Sequence, residues 1–172
     1  MFEFYLLIFL LLIVLIIVIS SLKIGISPMP SSKAAQKKIL EYAKNSKDET
    51  IIDLGSGFGS LAIFLAVNLP NKKIIAYELS LVPYLISKLL KSLLKIKNLQ
   101  IYKKDFFKED LKNATLVCYL YFEGMKKLEK KLFDENINTT IISNTFSLHN
   151  IKPREIQYAQ DFFKSPIYIY LT

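Results

Sequence analysis

A cluster of glycines that follows an acidic residue is the part of this chain best suited to chemistry. Three of the chain's five glycines, Gly55, Gly57 and Gly59, stand within five residues, and Asp53 precedes them. Glycine weakens regular structure, so we expect such a cluster where the backbone takes positive φ angles or closely approaches a ligand. Glu78 stands 23 residues beyond Gly55, and an acid at roughly this distance can accept both hydroxyls of a ribose. These residues predict a pocket for a ligand that contains a nucleoside.

The hydrophobic pattern predicts the elements that position the glycine cluster. A short β-branched run, residues 50 to 52, precedes it, and an apolar run compatible with a buried helix, residues 61 to 66, follows it. In a parallel α/β sheet this turn lies at the carboxyl end of the first strand, where ligands of doubly wound folds bind. The next predicted strand, residues 73 to 77, ends at Glu78.

The spacing of the glycines distinguishes between cofactors. A dinucleotide-binding turn has the pattern G-x-G-x-x-G, whereas residues 55 to 59 have G-x-G-x-G. The Asp53 carboxylate repels a pyrophosphate but attracts a cation such as the amino group of S-adenosylmethionine. The run from Asp53 to Gly59, together with Glu78, resembles the cofactor-binding signature of class I S-adenosylmethionine-dependent methyltransferases; the alternative is a glycine turn in another α/β domain. The resemblance implies cofactor contacts from Asp53, Gly55, Ser56, Gly57, Gly59 and Glu78.

Residues 4 to 22 form an uncharged run of 19 residues, rich in Leu, Ile and Val. At about 1.5 Å per residue, a helix of this length just crosses a bilayer core of about 30 Å. A cleaved signal peptide would have a basic region before the run, but Glu3 stands there. We predict a retained transmembrane anchor over residues 1 to 22 and a methyltransferase domain over residues 23 to 172; the alternative is a buried core helix.

Lysines follow the predicted anchor, and no basic residue precedes it. By the positive-inside rule, the domain lies on the cytoplasmic side of a single-pass span, in a bacterial inner membrane or an organellar membrane. The chain has a net charge of +8, and without Glu3, the only charged residue of the first 22, its 23 basic and 14 acidic residues leave +9. Such a domain favours anionic surfaces, whether membrane lipid or nucleic acid.

A second motif, Pro28-Met29-Pro30-Ser31, joins the predicted anchor to the domain, and Ser31 or Ser32 can cap a helix to about residue 45. This P-x-P-[ST] element resembles that of the membrane-anchored protein lysine methyltransferases that modify mitochondrial membrane proteins, and of their prokaryotic relatives. The chain departs from that family at Phe58, where the family usually has an acid; an aromatic ring there could pack against the ligand or the following helix. The resemblance implies a protein lysine near the membrane as the methyl acceptor.

Residues 82 to 94 predict a crossover helix, and residues 99 to 102 predict the third strand. Asp105 and Phe106 follow this strand. In class I methyltransferases an acid here commonly accepts a hydrogen bond from the adenine amino group. The resemblance therefore implies that Asp105 binds adenine and that Phe106 lies against the adenine ring; the alternative for Asp105 is a helix cap.

An almost continuous apolar run, residues 115 to 121, predicts a central strand that is covered on both faces. The resemblance places its end beside the transferred methyl group, where Tyr119, Tyr121 and Glu123 could line an acceptor pocket suited to a cationic amine. The alternative is that these tyrosines are structural. The motif [DN]-P-P-[YF], found in methyltransferases that modify amino groups of nucleobases or glutamine, is missing here, which counts against those substrates.

The remaining segments complete the predicted sheet. Residues 126 to 136 predict an amphipathic helix, residues 139 to 144 a fifth strand, and residues 155 to 163 with 166 to 171 a terminal hairpin. The predicted fold is an α/β, Rossmann-like class I methyltransferase sheet of five parallel strands plus a C-terminal antiparallel hairpin, preceded by one transmembrane helix.

Composition narrows the possible functions further. With one cysteine, Cys118, and one histidine, His149, the chain has no intrachain disulfide, cysteine cluster or multi-histidine metal site. No metal is predicted. The sequence leads to a membrane-anchored methyltransferase of a protein lysine. Three alternatives stay open: methylation of a lipid or small amphiphile, a degenerate scaffold that binds the cofactor without turnover, and a nucleic-acid methyltransferase, which the lack of an RNA-binding appendage disfavours.

Overall fold

The computed structural model describes residues 1, 3 to 8, 11 and 30 to 172. Residues 3 to 8 are helical, but most of the predicted anchor lies outside the described residues. Within the described parts of the chain, no helix is both long and apolar enough to cross a membrane. The anchor over residues 1 to 22 stays a prediction.

The described domain contains one mixed sheet. Its strands are β1 (Thr50–Leu54), β2 (Lys73–Tyr77), β3 (Leu99–Tyr102), β4 (Thr115–Cys118), β5 (Thr140–Asn144), β6 (Glu155–Tyr158) and β7 (Pro166–Leu171). They lie in the order β3-β2-β1-β4-β5-β7-β6. Strands β1 to β5 pair in parallel, while β7 is antiparallel to both β5 and β6. This arrangement confirms the predicted five parallel strands with a C-terminal antiparallel hairpin.

One helix precedes β1, and the others connect the parallel strands. They are α1 (Lys33–Asn45), α2 (Ser60–Asn68), α3 (Leu81–Leu93) and α4 (Phe122–Asp134), and a short 3-10 helix (Phe106–Lys108) follows β3. Ser32 caps α1, since its Oγ accepts a hydrogen bond of 3.1 Å from the backbone N–H of Ala35. This confirms one of the two predicted caps.

The fourth strand is shorter than the sequence pattern predicted. It ends at Cys118, which pairs with Leu54 at the end of β1 and with Ser143 in β5. Tyr119 therefore lies beyond the last paired residue, and the prediction of a strand to residue 121 was wrong. The following helix begins at Phe122 and not at residue 126. Gly124 allows this early start, because a Cβ at that position would lie only 3.1 Å from Leu120 Cβ.

The sixth strand also ends early, at Tyr158, where the pattern predicted residue 163. The intervening residues form the turn to β7. Asp161 fixes this turn by accepting hydrogen bonds from the backbone N–H of Ser165 at 2.9 Å and from the hydroxyl of Ser32 at 2.6 Å.

Two hydrophobic cores cover the two faces of the sheet. On one face, α1 and α2 bury Ile39 and Leu65; on the other, α4 buries Met125 and Leu128. Strand β4 is buried along its whole length, as a central parallel strand covered on both faces should be. The carboxyl ends of the strands are left to form a site.

Candidate active site

A cavity of about 690 Å³ opens at the carboxyl ends of β1, β2 and β4. Ten of the eleven site residues predicted from the sequence line it: Asp53, Gly55, Ser56, Gly57, Glu78, Asp105, Phe106, Tyr119, Tyr121 and Glu123. Phe58, where the chain departs from the lysine methyltransferase pattern, lines it too. The structure thus brings the predicted cofactor residues and the predicted acceptor residues into one space.

The glycine turn is held against the end of β2. Gly55 and Gly57 have φ angles of 77° and 55°, in the left-handed region that only glycine adopts freely. The backbone N–H groups of Gly55 and Ser56 both donate to the carbonyl oxygen of Tyr77, at 3.0 and 2.9 Å. The turn therefore presents bare backbone to the cavity in a fixed position.

Gly59 is the predicted site residue that does not line the cavity. It has a φ angle of 79° and immediately precedes α2. A Cβ at this position would lie 2.8 Å from Ser87 Cβ in α3. The third glycine of the cluster therefore allows α3 to pack closely against the turn.

Two buried polar atoms face the cavity without a partner. Among the described residues, Asp53 Oδ2 and Ser56 Oγ are the buried side-chain oxygens or nitrogens that make no hydrogen bond, and both residues line the cavity. Buried polar groups are almost always hydrogen-bonded in native proteins. A ligand that carries hydrogen-bond donors, such as an ammonium group, would satisfy both.

The Asp53 carboxyl is an unusual acid. Burial, and secondly the negative charge of Glu78, raise the pKa of Asp53 to about 7, although a hydrogen bond from the backbone of Ala62 opposes the shift. A cation placed beside Asp53 would offset both causes and favour the ionised form. This electrostatic arrangement fits the amino group of S-adenosylmethionine.

Glu78 is buried and anchored by two backbone donors. Its Oε2 accepts from Gly57 N–H and its Oε1 from Ser80 N–H, both at 2.7 Å. A carboxylate has about four acceptor positions, so about two remain for ligand hydroxyls. This agrees with the predicted role of Glu78 in binding a ribose.

Asp105 makes the helix cap that was its alternative role, and it also lies at the cavity where its adenine contact was predicted. Its Oδ1 accepts a hydrogen bond of 3.1 Å from the backbone N–H of Phe107, which caps the 3-10 helix, and the residue also lines the cavity. Phe106 is buried and lies beside Phe107, with 4.2 Å between ring centroids. Both rings line the cavity and provide an apolar wall for a flat heterocycle.

The predicted acceptor residues lie in the loop after β4 and at the start of α4, not on the strand. Tyr119 has its ring centroid 6.1 Å from that of Phe146. Tyr121 is exposed and immediately precedes α4, and Glu123 stands in the first turn of that helix. Lys127, one turn further along α4, also lines the cavity, so this end of the site is polar and open to solvent.

The cavity is also lined by residues that the sequence did not single out as site residues, and four of these bear on function: Pro30, Ser31, Lys127 and Phe146. Ser31 is fixed there because its Oγ accepts from Asn144 Nδ2 and its carbonyl oxygen from Gln36 Nε2, both at 3.0 Å. In the sequence, the P-x-P-[ST] motif indicated only a joint between the predicted anchor and the domain. It was the one feature that could have pointed to Pro30 and Ser31 as residues of the site.

Cys118 and His149 play no part in this site. The Cys118 thiol is fully buried, and burial raises its pKa to about 12, so it is not a nucleophile at neutral pH. The backbone N–H of His149 donates to Glu129, outside the cavity. Within the described residues, no group of His, Cys, Asp or Glu side chains is arranged to hold a metal ion.

The family assignment rests on a sequence match over most of the domain. The model of the ANTKMT methyltransferase domain matches residues 53 to 155, which is more than half of the chain. The chain belongs to this family. It is a methyltransferase with a Rossmann-like fold, and its cofactor is S-adenosylmethionine.

The individual relatives are methyltransferases named for different acceptors. A protein-lysine N-methyltransferase of Saccharolobus islandicus (strain REY15A) is 24% identical over 152 residues, which cover 83% of this chain and 91% of that protein. A release factor glutamine methyltransferase of Buchnera aphidicola is 31% identical over 112 residues, which cover 63% of this chain and 40% of that protein. The solved structure of a Salinibacter ruber RNA methyltransferase in complex with S-adenosyl-L-homocysteine has the same fold, with a TM-score of 0.72, 22% identity and coverage of 83% of this chain and 93% of that one.

Proposed function

We propose that this methyltransferase of the ANTKMT family modifies a lysine side chain of a protein at a membrane surface. The observation that carries the proposal is the open end of the cavity, where Tyr119, Tyr121 and Glu123 lie together. Aromatic rings and a carboxylate favour an approaching cationic amine. The similarity to a protein-lysine N-methyltransferase supports the same substrate class.

The cofactor end of the site is assigned from the unpaired and anchored groups described above. Asp53 and Ser56 hold the amino acid part of S-adenosylmethionine, the backbone of Gly55 and Gly57 lies against it, and Glu78 accepts the ribose hydroxyls. Asp105 and Phe106 bind the adenine, as the class I resemblance implies. S-adenosylmethionine supplies a methyl group that is already activated by its sulfonium, so the protein's task is alignment and proton removal.

The acceptor end prepares the amine. A lysine ammonium must lose a proton before its nitrogen can act as a nucleophile. Glu123 is exposed at the cavity and can accept that proton, directly or through water. The charge of Lys127 in the same cavity disfavours a second cation and so lowers the pKa of the incoming amine.

Two features support the proposed membrane location: the uncharged run, and the short link between it and the described domain. If residues 1 to 22 form the anchor, the link from Leu22 to Pro30 spans at most about 29 Å, at roughly 3.6 Å per residue. Pro30 and Ser31 line the cavity. The site would therefore work on proteins in or beside the bilayer, on the cytoplasmic face given by the lysines that follow the anchor.

A labelling experiment tests the proposal. Full-length protein is incubated with membranes from its source and S-adenosylmethionine that carries a labelled methyl group. We expect label in protein, recovered as methyl-lysine after hydrolysis, and none with the Glu78→Ala variant. Label in the organic extract would indicate a lipid acceptor, and label in nucleic acid an RNA or DNA acceptor. Cofactor binding without transfer to any fraction would indicate a scaffold, and each of these results would overturn the lysine assignment.

A further inference from the structure

Helix α3 has an exposed apolar face that no described element covers. Its leucines at every fourth position, Leu81, Leu85, Leu89 and Leu93, are 47 to 69% exposed. Residues four apart lie on the same side of a helix, so these leucines form one stripe. Beside it, Ile86, Leu90 and Leu94 are exposed as well. Only Pro83 and Ser87 of α3 are buried.

The segment that contains α3 is also strongly basic. From residue 79 to residue 104 the chain has six lysines and no acidic residue. Two of the lysines, Lys88 and Lys91, stand on the helix itself, and Lys95 and Lys97 follow it directly. A helix with a leucine face, a lysine-bearing face and no acid has the pattern of a helix that lies in the interface of an anionic membrane.

We propose that α3 is a membrane-contact helix: its leucine face lies among the acyl chains near the surface of an anionic bilayer, and its lysines contact the lipid headgroups. The position of α3 agrees with this role. Leu79 and Ser80, just before the helix, line the same cavity as Pro30, where the described domain begins after the predicted anchor. The contact would hold the mouth of the site beside the bilayer. It rests on α3 alone and does not depend on which group accepts the methyl.

Two other occupants of this face fit the charges less well. A symmetric contact with a second copy would bring the lysines of both helices together, which is unfavourable. The uncharged run from residue 4 to residue 22 of the same chain could cover the leucines, but it offers no charge to the lysines. An anionic bilayer satisfies both the leucines and the lysines.

A fluorescence experiment tests the contact, because the chain has no tryptophan. In the full chain, Leu89→Trp places a single tryptophan on the face, and excitation at the red edge avoids the tyrosines. The matched control is Phe133→Trp at an 86% exposed position on α4, which packs on the other face of the sheet. The vesicles are phosphatidylcholine alone or with phosphatidylglycerol, with brominated acyl chains as quenchers. We expect a blue shift and at least twofold quenching of the Leu89→Trp protein in the anionic vesicles, and no quenching of the control.

Charge reversal and the vesicle-free protein complete the test. Adding Lys88→Glu and Lys91→Glu to the Leu89→Trp protein should lose most of the quenching, even while residues 1 to 22 keep the chain on the vesicle. An unquenched probe on vesicles that hold the protein would overturn the proposal. Blue-shifted tryptophan emission of the Leu89→Trp protein without lipid would also overturn it, because the face would then be covered by protein. If that emission shifts to the red on dilution of the protein, a second copy covers the face. If it does not change on dilution, a segment of the same chain covers it.

Discussion

Glu78 accepts a hydrogen bond from the backbone N–H of Gly57 at 2.7 Å, which fastens the glycine turn after β1 to the end of β2. The other oxygen of the same carboxylate accepts from Ser80 N–H at the start of α3. One buried side chain thus sets the position of three elements around the cavity. Its effect on cofactor binding can be measured.

We predict that Glu78→Gln weakens S-adenosylmethionine binding by about 10- to 100-fold, the loss expected when hydrogen bonds to a charged group are removed. In Glu78 the two N–H groups donate to different oxygens, so in glutamine the NH2 group, itself a donor, would face one of them. Calorimetric titration gives the dissociation constants. The exposed Glu41→Gln on α1 is the control, and equal affinities for the two variants would rule out a role of Glu78 in the cofactor site.

The raised pKa of Asp53 predicts a pH-dependent stability. The folded protein holds this proton up to about pH 7, whereas an unfolded aspartate releases it near pH 3.8. The unfolded state therefore binds fewer protons between these values, and the free energy of unfolding falls as pH rises from about 4 to about 7, by at most about 4 kcal/mol. Urea unfolding of the cofactor-free protein should show this fall, and Asp53→Asn should lack it. A parallel decline in the variant would assign the slope to other groups.

The same carboxyl predicts a pH-dependent cofactor affinity. Pairing with a cationic amino group lowers the pKa of Asp53, so cofactor binding near pH 6.5 releases the proton of this carboxyl. The affinity for the cofactor therefore rises with pH until Asp53 is ionised in the free protein. Calorimetric titrations of the cofactor in buffers of different ionisation enthalpy measure the number of protons released on binding. In Asp53→Asn we expect no release and weaker, pH-independent binding, while Asp134→Asn on the surface should behave as the wild type. Proton release that persists in Asp53→Asn would contradict the pairing.

The close approach of Gly59 to α3 predicts a repairable defect. Gly59→Ala must place a Cβ at a φ angle of 79° and 2.8 Å from Ser87 Cβ. We expect a loss of about 1 to 3 kcal/mol in the free energy of unfolding, the usual range for a strained backbone. Adding Ser87→Gly removes the contact but not the backbone strain, so it should restore part of the loss. If the double variant loses as much free energy of unfolding as Gly59→Ala and Ser87→Gly lose separately in sum, the contact between residues 59 and 87 makes no contribution.

We predict that Glu123→Gln lowers kcat for the protein acceptor by at least about 10-fold, since positioned proton acceptors contribute about 100-fold or more. The dissociation constant for S-adenosylmethionine should stay the same, because Glu123 lies at the other end of the cavity from Asp53 and Glu78 in the proposed assignment. Raising the pH should increase kcat of the Glu123→Gln variant, because the lysine amine then loses its proton to the solvent. An unchanged kcat would show that water alone removes the proton.

The sequence was sufficient for the sheet because its signals are local. The glycine turn and the β-branched runs on either side determine where β1 and β2 end, and a parallel sheet brings those ends together. The end of β4 depended on more distant residues: Tyr119 lies outside the strand because the pairing of β4 with both β1 and β5 ends at Cys118. No pattern within residues 115 to 121 contains that information.

The same limit applies to the cavity. Asp53 and Glu78 could be assigned to it because Asp53 lies in the last two residues of β1 and Glu78 directly follows β2. Ser31 reaches it through a hydrogen bond to Asn144, 113 residues away, and Phe146 reaches it through the fold of the loop after β5. Such contacts exist only after the sheet has formed, so the sequence could suggest a joint at Ser31 but not where it would lie.

The position of β7 has a consequence for synthesis. This strand is made after the other strands that the structure describes, yet it lies between β5 and β6 and is the partner of both. While the ribosome is still adding residues 166 to 171, β5 has an open edge, which is prone to wrong pairing. The uncharged N-terminal run has emerged long before. If it inserts as proposed, the domain completes its fold already tethered to the bilayer.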